Sequence, residues 1–407
     1  PDEEKSPCEF DDEFCCVDFD DVPFPRIIPF TCRCLNTTES IYNGLDTFEK
    51  AELYPDMLQN LVSWNLLEQE EVDAMGPTSC HPYNQGALAM SQPKKLGISL
   101  QEAMETPISA QLDMLVLLVV YSTMGGLEWG QSEGWYGHID VCNYFGIDCI
   151  FTDTISRLWM PRNGLQGPIP TELGLLTSLR ELDLSSNDNE VFGPIPTQLE
   201  SLTSLGILDL AESQIDGPIP TFLGNMTSLN KLDLASCGLT GTIPSAIFQL
   251  QELSFLSLSD NKLNGTLSTE FGKFSDLDIL RLNKNDLTGT LPLELMNMET
   301  LGLLHVADNK FSGAFPEFLG LMPRLRLLDV SNSGFTGSIP ESFCGDAQGG
   351  ELAGIRQVVV NCSVIAPCSC CNGNGSQGVR MICAENNQTG IRKWQCVGIG
   401  LLGLNLR

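Results

Sequence analysis

The chain has 407 residues, 42% hydrophobic and only 18% charged, a composition that excludes a disordered polymer. Its 52 acidic residues against 22 basic ones give a net charge of −30, which excludes nucleic acid, anionic lipid and acidic polysaccharide as partners. A polycationic or calcium-bridged partner stays open, and the length allows two or three core-bearing units at roughly 150 residues each.

Residues 1–106 form an acidic, cysteine-containing extension. Ten carboxylates and one Lys fall in the first 21 residues. The stretch "EFDDEFCCVDFDD" supplies hard oxygen ligands, but an EF-hand loop fails there: Pro23 stands at its Gly position and Pro29 at its bidentate Glu position. A solvated arm pinned by cystines at Cys8, Cys15 and Cys16 is the favoured reading. Residues 55–75 read as a helix, opened by Pro55, striped by Leu58, Leu61 and Val62, and stopped by Gly76-Pro77. A second helix is expected from Ser99, where Glu102 completes a capping box. A third runs from Thr106-Pro107 to Tyr121, and its apolar run, residues 114–121, is far short of the ~20 residues a membrane helix needs. The chain starts at Pro1 without a signal peptide and is expected to be a processed form.

From Ile155 the chain repeats itself. Lines begin at Ile155, Leu179, Leu205, Leu229, Leu253, Leu277, Leu301 and Leu325, each 24 residues long except the 26-residue line at Leu179. Apolar residues recur at positions 1, 4, 6, 11 and 15, with Gly at 13 and Pro at 16, except Ser268 in the line from Leu253. A period of this length means a solenoid: one short strand per coil, its apolar face buried only against the next coil. Asn at position 9 (Asn163, Asn187, Asn261, Asn285, Asn309) is expected to bond backbone groups in the interior. Ser213, Cys237 and Ser333 take that slot elsewhere, so Cys237 is expected to be a buried free thiol.

The pattern resembles the plant-type, extracellular leucine-rich repeat family, L-x-x-L-x-L-x-x-N-x-L-x-G-x-I-P. That family includes secreted repeat proteins, polygalacturonase-inhibiting proteins and receptor-kinase ectodomains. The resemblance implies an α/β solenoid, a right-handed coil stack with short parallel strands on the concave face. It gives an amino-terminal cap at 107–154, eight repeats at 155–348 and a cysteine-rich cap and tail at 349–407. It also implies that Cys142 and Cys149 close the first coil with Trp135 packed on it. Tyr144 stands where the family often has Trp.

After Cys344 the pattern fades. Ile355, Val358 and Val360 predict a last strand, and residues 397, 399 and 401 alternate as another with no partner in the sequence. Cys368 and Cys371 form a CxxC, but no second pair at zinc-ligand spacing accompanies it, so disulfides among Cys344, Cys362, Cys368, Cys370, Cys371, Cys383 and Cys396 are expected. Setting Cys237 aside leaves eight cysteines up to Cys149 and seven from Cys344 onward. The odd count points to an intermolecular bridge or a free thiol. Six sequons begin at Asn36, Asn225, Asn264, Asn361, Asn374 and Asn387, and with the end-loaded cysteines they indicate a secretory route and N-linked glycans.

No catalytic constellation is present. His81, His138 and His305 are scattered, no Gly-rich phosphate loop follows a strand, and no enzyme, cofactor or metal is expected. The concave columns carry more information. Position 3 reads Arg157, Glu181, Ile207, Lys231, Phe255, Ile279, Leu303, Leu327, and position 5 reads Trp159, Asp183, Asp209, Asp233, Ser257, Arg281, His305, Asp329. Phe255, Ile279, Leu303 and Leu327 form an apolar ladder about 4.8 Å per rung, a partner-binding candidate because a contiguous apolar row requires explanation. The expected function is a secreted, non-enzymatic interaction or structural protein. It would belong to an extracellular matrix, wall or surface filament such as a flagellar hair, and contact copies of itself or other extracellular components. The alternative is a soluble recognition module, a glycosidase inhibitor or receptor-like ligand binder. Ice binding would need a flat threonine array, which these concave columns are not.

Overall fold

The computed structural model describes residues 108–135, 140–150, 154–187 and 190–344, together with 355, 357–360, 365–366 and 380–383. The acidic arm, the helices expected at 55–75 and from Ser99, and the strand expected at 397–401 lie outside the described residues. The described chain packs as two units, one holding residues up to Arg157 and Asn163–Leu176, the other Leu158–Arg162 and the chain from Thr177.

The first unit is built on one helix, α1 (Ile108–Thr123). Residues 114–120 are all buried, so the helix is covered on every side rather than along one stripe. Trp129 and Trp135 meet edge to face at 4.8 Å between ring centroids, and Tyr144 closes on Trp135 at 5.4 Å. Each indole finds an acceptor: Trp129 Nε1 donates to the Met124 carbonyl (2.6 Å) and Trp135 Nε1 to that of Phe145 (2.8 Å). Cys142 and Cys149 form the disulfide that the family resemblance implied, and Trp135 is fully buried beside it. Strands β1 (Ile147–Ile150) and β2 (Thr154–Trp159) follow, tied by an Arg157–Asp148 ion pair at 2.9 Å. Asn163 clamps this unit by accepting from the Gln131 amide (2.7 Å) and donating to its carbonyl (2.8 Å).

The second unit is a stack of coils. Its concave sheet comprises β3 (Glu181–Asp183), β4 (Ile207–Asp209), β5 (Lys231–Asp233), β6 (Phe255–Ser257), β7 (Ile279–Arg281), β8 (Leu303–His305), β9 (Leu327–Asp329), β10 (Gln357–Val360) and β11 (Arg380–Cys383). They pair in parallel, in chain order. From β3 to β9 every position-3 residue pairs with the position-3 residue of the next coil. Position 4 points inward and is buried throughout (Leu182, Leu208, Leu232, Leu256, Leu280, Leu304, Leu328), while positions 3 and 5 lie on the other face, as period-2 alternation requires, and are half-buried except at Asp209 and Ser257, which are buried.

Three devices close each coil. The residue at position 8 is left-handed in eight consecutive lines, from Arg162 (φ 55°) through Lys284 (φ 56°) to Asn332 (φ 51°), although none is Gly. At position 13, by contrast, the left-handed residue is always Gly, as at Gly265 (φ 85°), where a Cβ would also meet the Thr242 methyl at 2.9 Å. After position 16 the chain makes a five-residue 3₁₀ turn, such as Leu293–Asn297, which Pro pre-sets by its fixed φ. Where Ser268 replaces that Pro, its hydroxyl accepts from the Glu270 amide at 3.1 Å and caps the turn instead.

Position-9 amides bind each coil to the one before. Asn285 Nδ2 donates to the carbonyls of Leu258 (2.9 Å) and Leu282 (3.1 Å), and its Oδ1 accepts from the Leu263 amide (3.0 Å). Asn261 and Asn309 repeat this set one coil to either side. The series breaks at two adjacent coils. Ser213 Oγ is buried with no partner among the described residues. Cys237 is free but half-buried, a correction to the expected full burial. Its thiol donates to the Leu210 carbonyl at 3.4 Å, and burial pushes its pKa up to about 12.

Candidate concave docking surface

Phe255, Ile279, Leu303 and Leu327 stand on four successive strands as direct register partners. All four are half-buried, because each rung covers part of the next. Phe255 is flanked by cations: Lys231 Nζ lies 5.4 Å from its ring centroid and the Arg281 guanidinium carbon 5.6 Å. The ladder passes to a polar residue at Gln357, the partner of Leu327 on β10.

Column 5 runs beside it. Met160 N donates to Asp183 O (2.8 Å), Leu184 N to Asp209 O (3.0 Å) and Leu210 N to Asp233 O (2.9 Å), which places Trp159, Asp183, Asp209 and Asp233 on consecutive coils. Trp159 is 46% exposed, among the few large hydrophobic side chains so open. Lys231 bonds Asp209 at 2.6 Å. Burial pulls the Lys231 ammonium down, but the Asp209 hydrogen bond and the charges of Asp209, Asp233 and Asp183 outweigh it and hold its pKa above the ordinary value. The Asp233 carboxyl is held up by burial and by the Asp209 charge. Toward the other end the column turns basic and then paired: Arg281, then His305 with Nε2 3.2 Å from Asp329 Oδ2. Burial would raise the Asp329 carboxyl, yet hydrogen bonds from His305 and Ser331 hold it below the usual range.

Other expected sites fall elsewhere. Asn225 is exposed and donates to Glu200 Oε1 (2.7 Å), and Asn264 is exposed on a short strand, Lys262–Thr266, that pairs outside the concave sheet. Asn36, Asn361, Asn374 and Asn387, with Cys362, Cys368, Cys370, Cys371 and Cys396, lie outside the described residues, as do His81 and His138. Cys344 ends the turn Glu341–Cys344 and Cys383 ends β11. Among the described residues no group of three His, Cys, Asp or Glu is arranged to hold a metal ion, and no helix is long and apolar enough to cross a membrane. Sequence reasoning missed an apolar trio on the 3₁₀ turns, Leu293, Met296 and Leu321, all exposed; they fall outside the period that marks the strands.

This coil stack with a patterned concave sheet is that of a leucine-rich repeat protein, and the repeat pattern of that family matches residues 228–250, 252–274 and 324–345. Its structural relatives include plant leucine-rich repeat receptor ectodomains, which it resembles in fold. One is the ectodomain of the receptor kinase GASSHO1/SCHENGEN3 from Arabidopsis thaliana, in complex with CASPARIAN STRIP INTEGRITY FACTOR 2. It is 29% identical with a TM-score of 0.52, over 64% of this chain and 33% of that one. Another is a plant ice-binding protein, 25% identical with a TM-score of 0.52, over 63% of this chain and 87% of that one. The Arabidopsis receptor kinase HAESA, in complex with the peptide hormone IDA and the co-receptor SERK1, shares the fold at 20% identity and a TM-score of 0.50, over 64% of this chain and 46% of that one. The chain thus spans about a third of the GASSHO1 ectodomain's length. No curated protein sequence gives a match.

Proposed function

We propose that this chain is an extracellular, glycosylated protein-docking module that seats its partner on the concave sheet, as a component of a matrix, wall or surface assembly. The observation that carries the reading is the unbroken, in-register rung Phe255–Ile279–Leu303–Leu327. A contiguous apolar row on an outward sheet face has a cost in water that an isolated side chain does not. Both described sequons support it, since Asn225 and Asn264 stand off the concave strands and glycans there would leave the sheet open. The two receptor ectodomains above are complexed with a peptide or protein partner, which agrees with docking rather than catalysis.

The ice-binding relative draws attention to the short strands and turns that follow position 9 in each coil, such as Thr240–Gly241, Lys262–Thr266 and Gly337–Ser338. There positions 12 and 14 expose Thr240 and Thr242, Thr266, Thr290, and Thr336 with Ser338. The row is interrupted by Ala314 and by the Asn264 sequon, so docking on the concave face is the better account.

The double variant Phe255→Asp with Leu303→Asp tests the reading. It should abolish partner binding while leaving the circular-dichroism spectrum unchanged. Light scattering on a sizing column, with and without reductant, reads the assembly. Large species that the double variant lacks support assembly through the ladder. Large species retained by the variant place the contact elsewhere, and a monomer that binds no partner ends the docking reading.

A further inference from the structure

We infer that the segment docked on this sheet is extended, crosses the strands, and sets a cationic residue over Asp183, Asp209 and Asp233 about five residues away from the apolar side chains it lays on the ladder. The inference rests on the docking reading above and adds the partner's chemistry and polarity.

The charge along column 5 is not uniform. It runs from the exposed Trp159 through three stacked carboxylates, then Ser257, then Arg281, then the His305–Asp329 pair. Among the described residues one ammonium, Lys231, serves the three carboxylates, and it is bonded to Asp209, the buried one of the three, which leaves the half-buried Asp183 and Asp233 to meet an arriving charge. The Asp183 carboxylate accepts from the Ser185 amide (3.0 Å) and hydroxyl (2.6 Å), and that of Asp233 from the Ala235 amide (3.1 Å). These neutral donors orient the oxygens without cancelling their charge. The raised Asp233 carboxyl reports the same excess, since burial and its neighbour's charge both oppose ionisation. An arriving guanidinium or ammonium relieves that repulsion, and Trp159 offers it an aromatic face.

The ladder end has the opposite bias. Phe255 lies between Lys231 and Arg281, and those cations repel a basic residue while leaving apolar contact free. A segment with its charge at one end and its apolar side chains at the other therefore fits in one polarity only. A second copy would fit only through a locally basic segment, against the chain's net charge of −30. The spacing follows from geometry. Asp209 and the middle of the ladder are separated by three to four strands, about 17 Å at ~4.8 Å per strand, which an extended chain covers in about five residues.

The test is selection of a random dodecapeptide display library on the full chain, with the Leu303→Asp variant as counter-target. Enriched peptides should place Lys or Arg about five residues from a Leu, Ile, Phe or Trp cluster. They should bind about tenfold more weakly to the triple variant Asp183→Asn, Asp209→Asn, Asp233→Asn, a loss of about 1.4 kcal/mol. High salt should remove the same advantage on the unaltered chain, which keeps the test independent of the variant's folding. Peptides without a basic excess, or peptides that bind the triple variant equally well, overturn the inference and leave docking standing. Enrichment that does not distinguish the chain from Leu303→Asp overturns docking itself, and this inference with it.

Discussion

Lys284 holds φ at 56° with a side chain that pays steric strain there, and seven other lines do the same at the equivalent residue. A left-handed non-Gly residue costs roughly 1–2 kcal/mol, and Gly gives back part of any relief, ~0.5–1 kcal/mol, through chain entropy. Lys284→Gly should therefore leave stability unchanged or raise it by up to about 1 kcal/mol in urea denaturation, whereas Lys284→Val should lower it by about 1 kcal/mol or more. The Lys284–Asp260 contact at 3.5 Å is open to solvent and contributes little to either result. Asp113 in α1 gives a pH signature. Burial raises its pKa from 3.8 to about 6, so the folded form holds its proton more tightly than the unfolded chain. That contribution is fully present below 3.8 and lost as pH rises through about 6. Asp113→Asn should melt above the parent at pH values above about 6, and the two should converge below 3.8 in a series of thermal melts.

At the scale of the element, the position-9 amide matters more than the strand it serves. Asn285→Ala would strand the buried Leu263 amide and take one of two amide bonds from each of the Leu258 and Leu282 carbonyls, which keep those from Asn261 and Asn309, a cost of about 2–3 kcal/mol, while Ser333→Ala removes essentially one bond, to Val306 at 2.6 Å, and should cost about 1 kcal/mol. Calorimetric melting of the two variants checks the ordering. These amides were legible in the sequence, because Asn recurs at a fixed place after the buried leucines. The strands were legible for the same reason: Leu280 or Leu304 can be buried only if each coil repeats its neighbour's register. Position 8 was not legible, since Arg162, Glu212, Lys284 and Asn332 share no chemistry, only a backbone angle imposed by the coil. The strand Arg380–Cys383 escaped too, lying past the last full line where no period marks it.

For the molecule as a whole, the columns of the candidate site could be written down from a repeat length alone, and the parallel register places those residues side by side. What the columns could not convey was exposure: Leu303 and its neighbours are half-covered by one another, and Phe255 is bracketed by two cations drawn from adjacent coils. The two compact units also escape a reading by period, because the line that begins at Ile155 contributes residues to both.

The interrupted run of amides at Ser213 and Cys237 has a mechanical meaning. The bonds between coils of the second unit point along the stacking direction, so tension applied along it is carried coil by coil. Where two neighbouring coils lack their amide rungs, the stack holds by strand bonds, packing and one weak thiol bond from Cys237 to the Leu210 carbonyl. Single-molecule pulling should therefore open that place first, each coil that peels away releasing 24 residues, about 80 Å of slack, before the rungs from Asn261 onward give way.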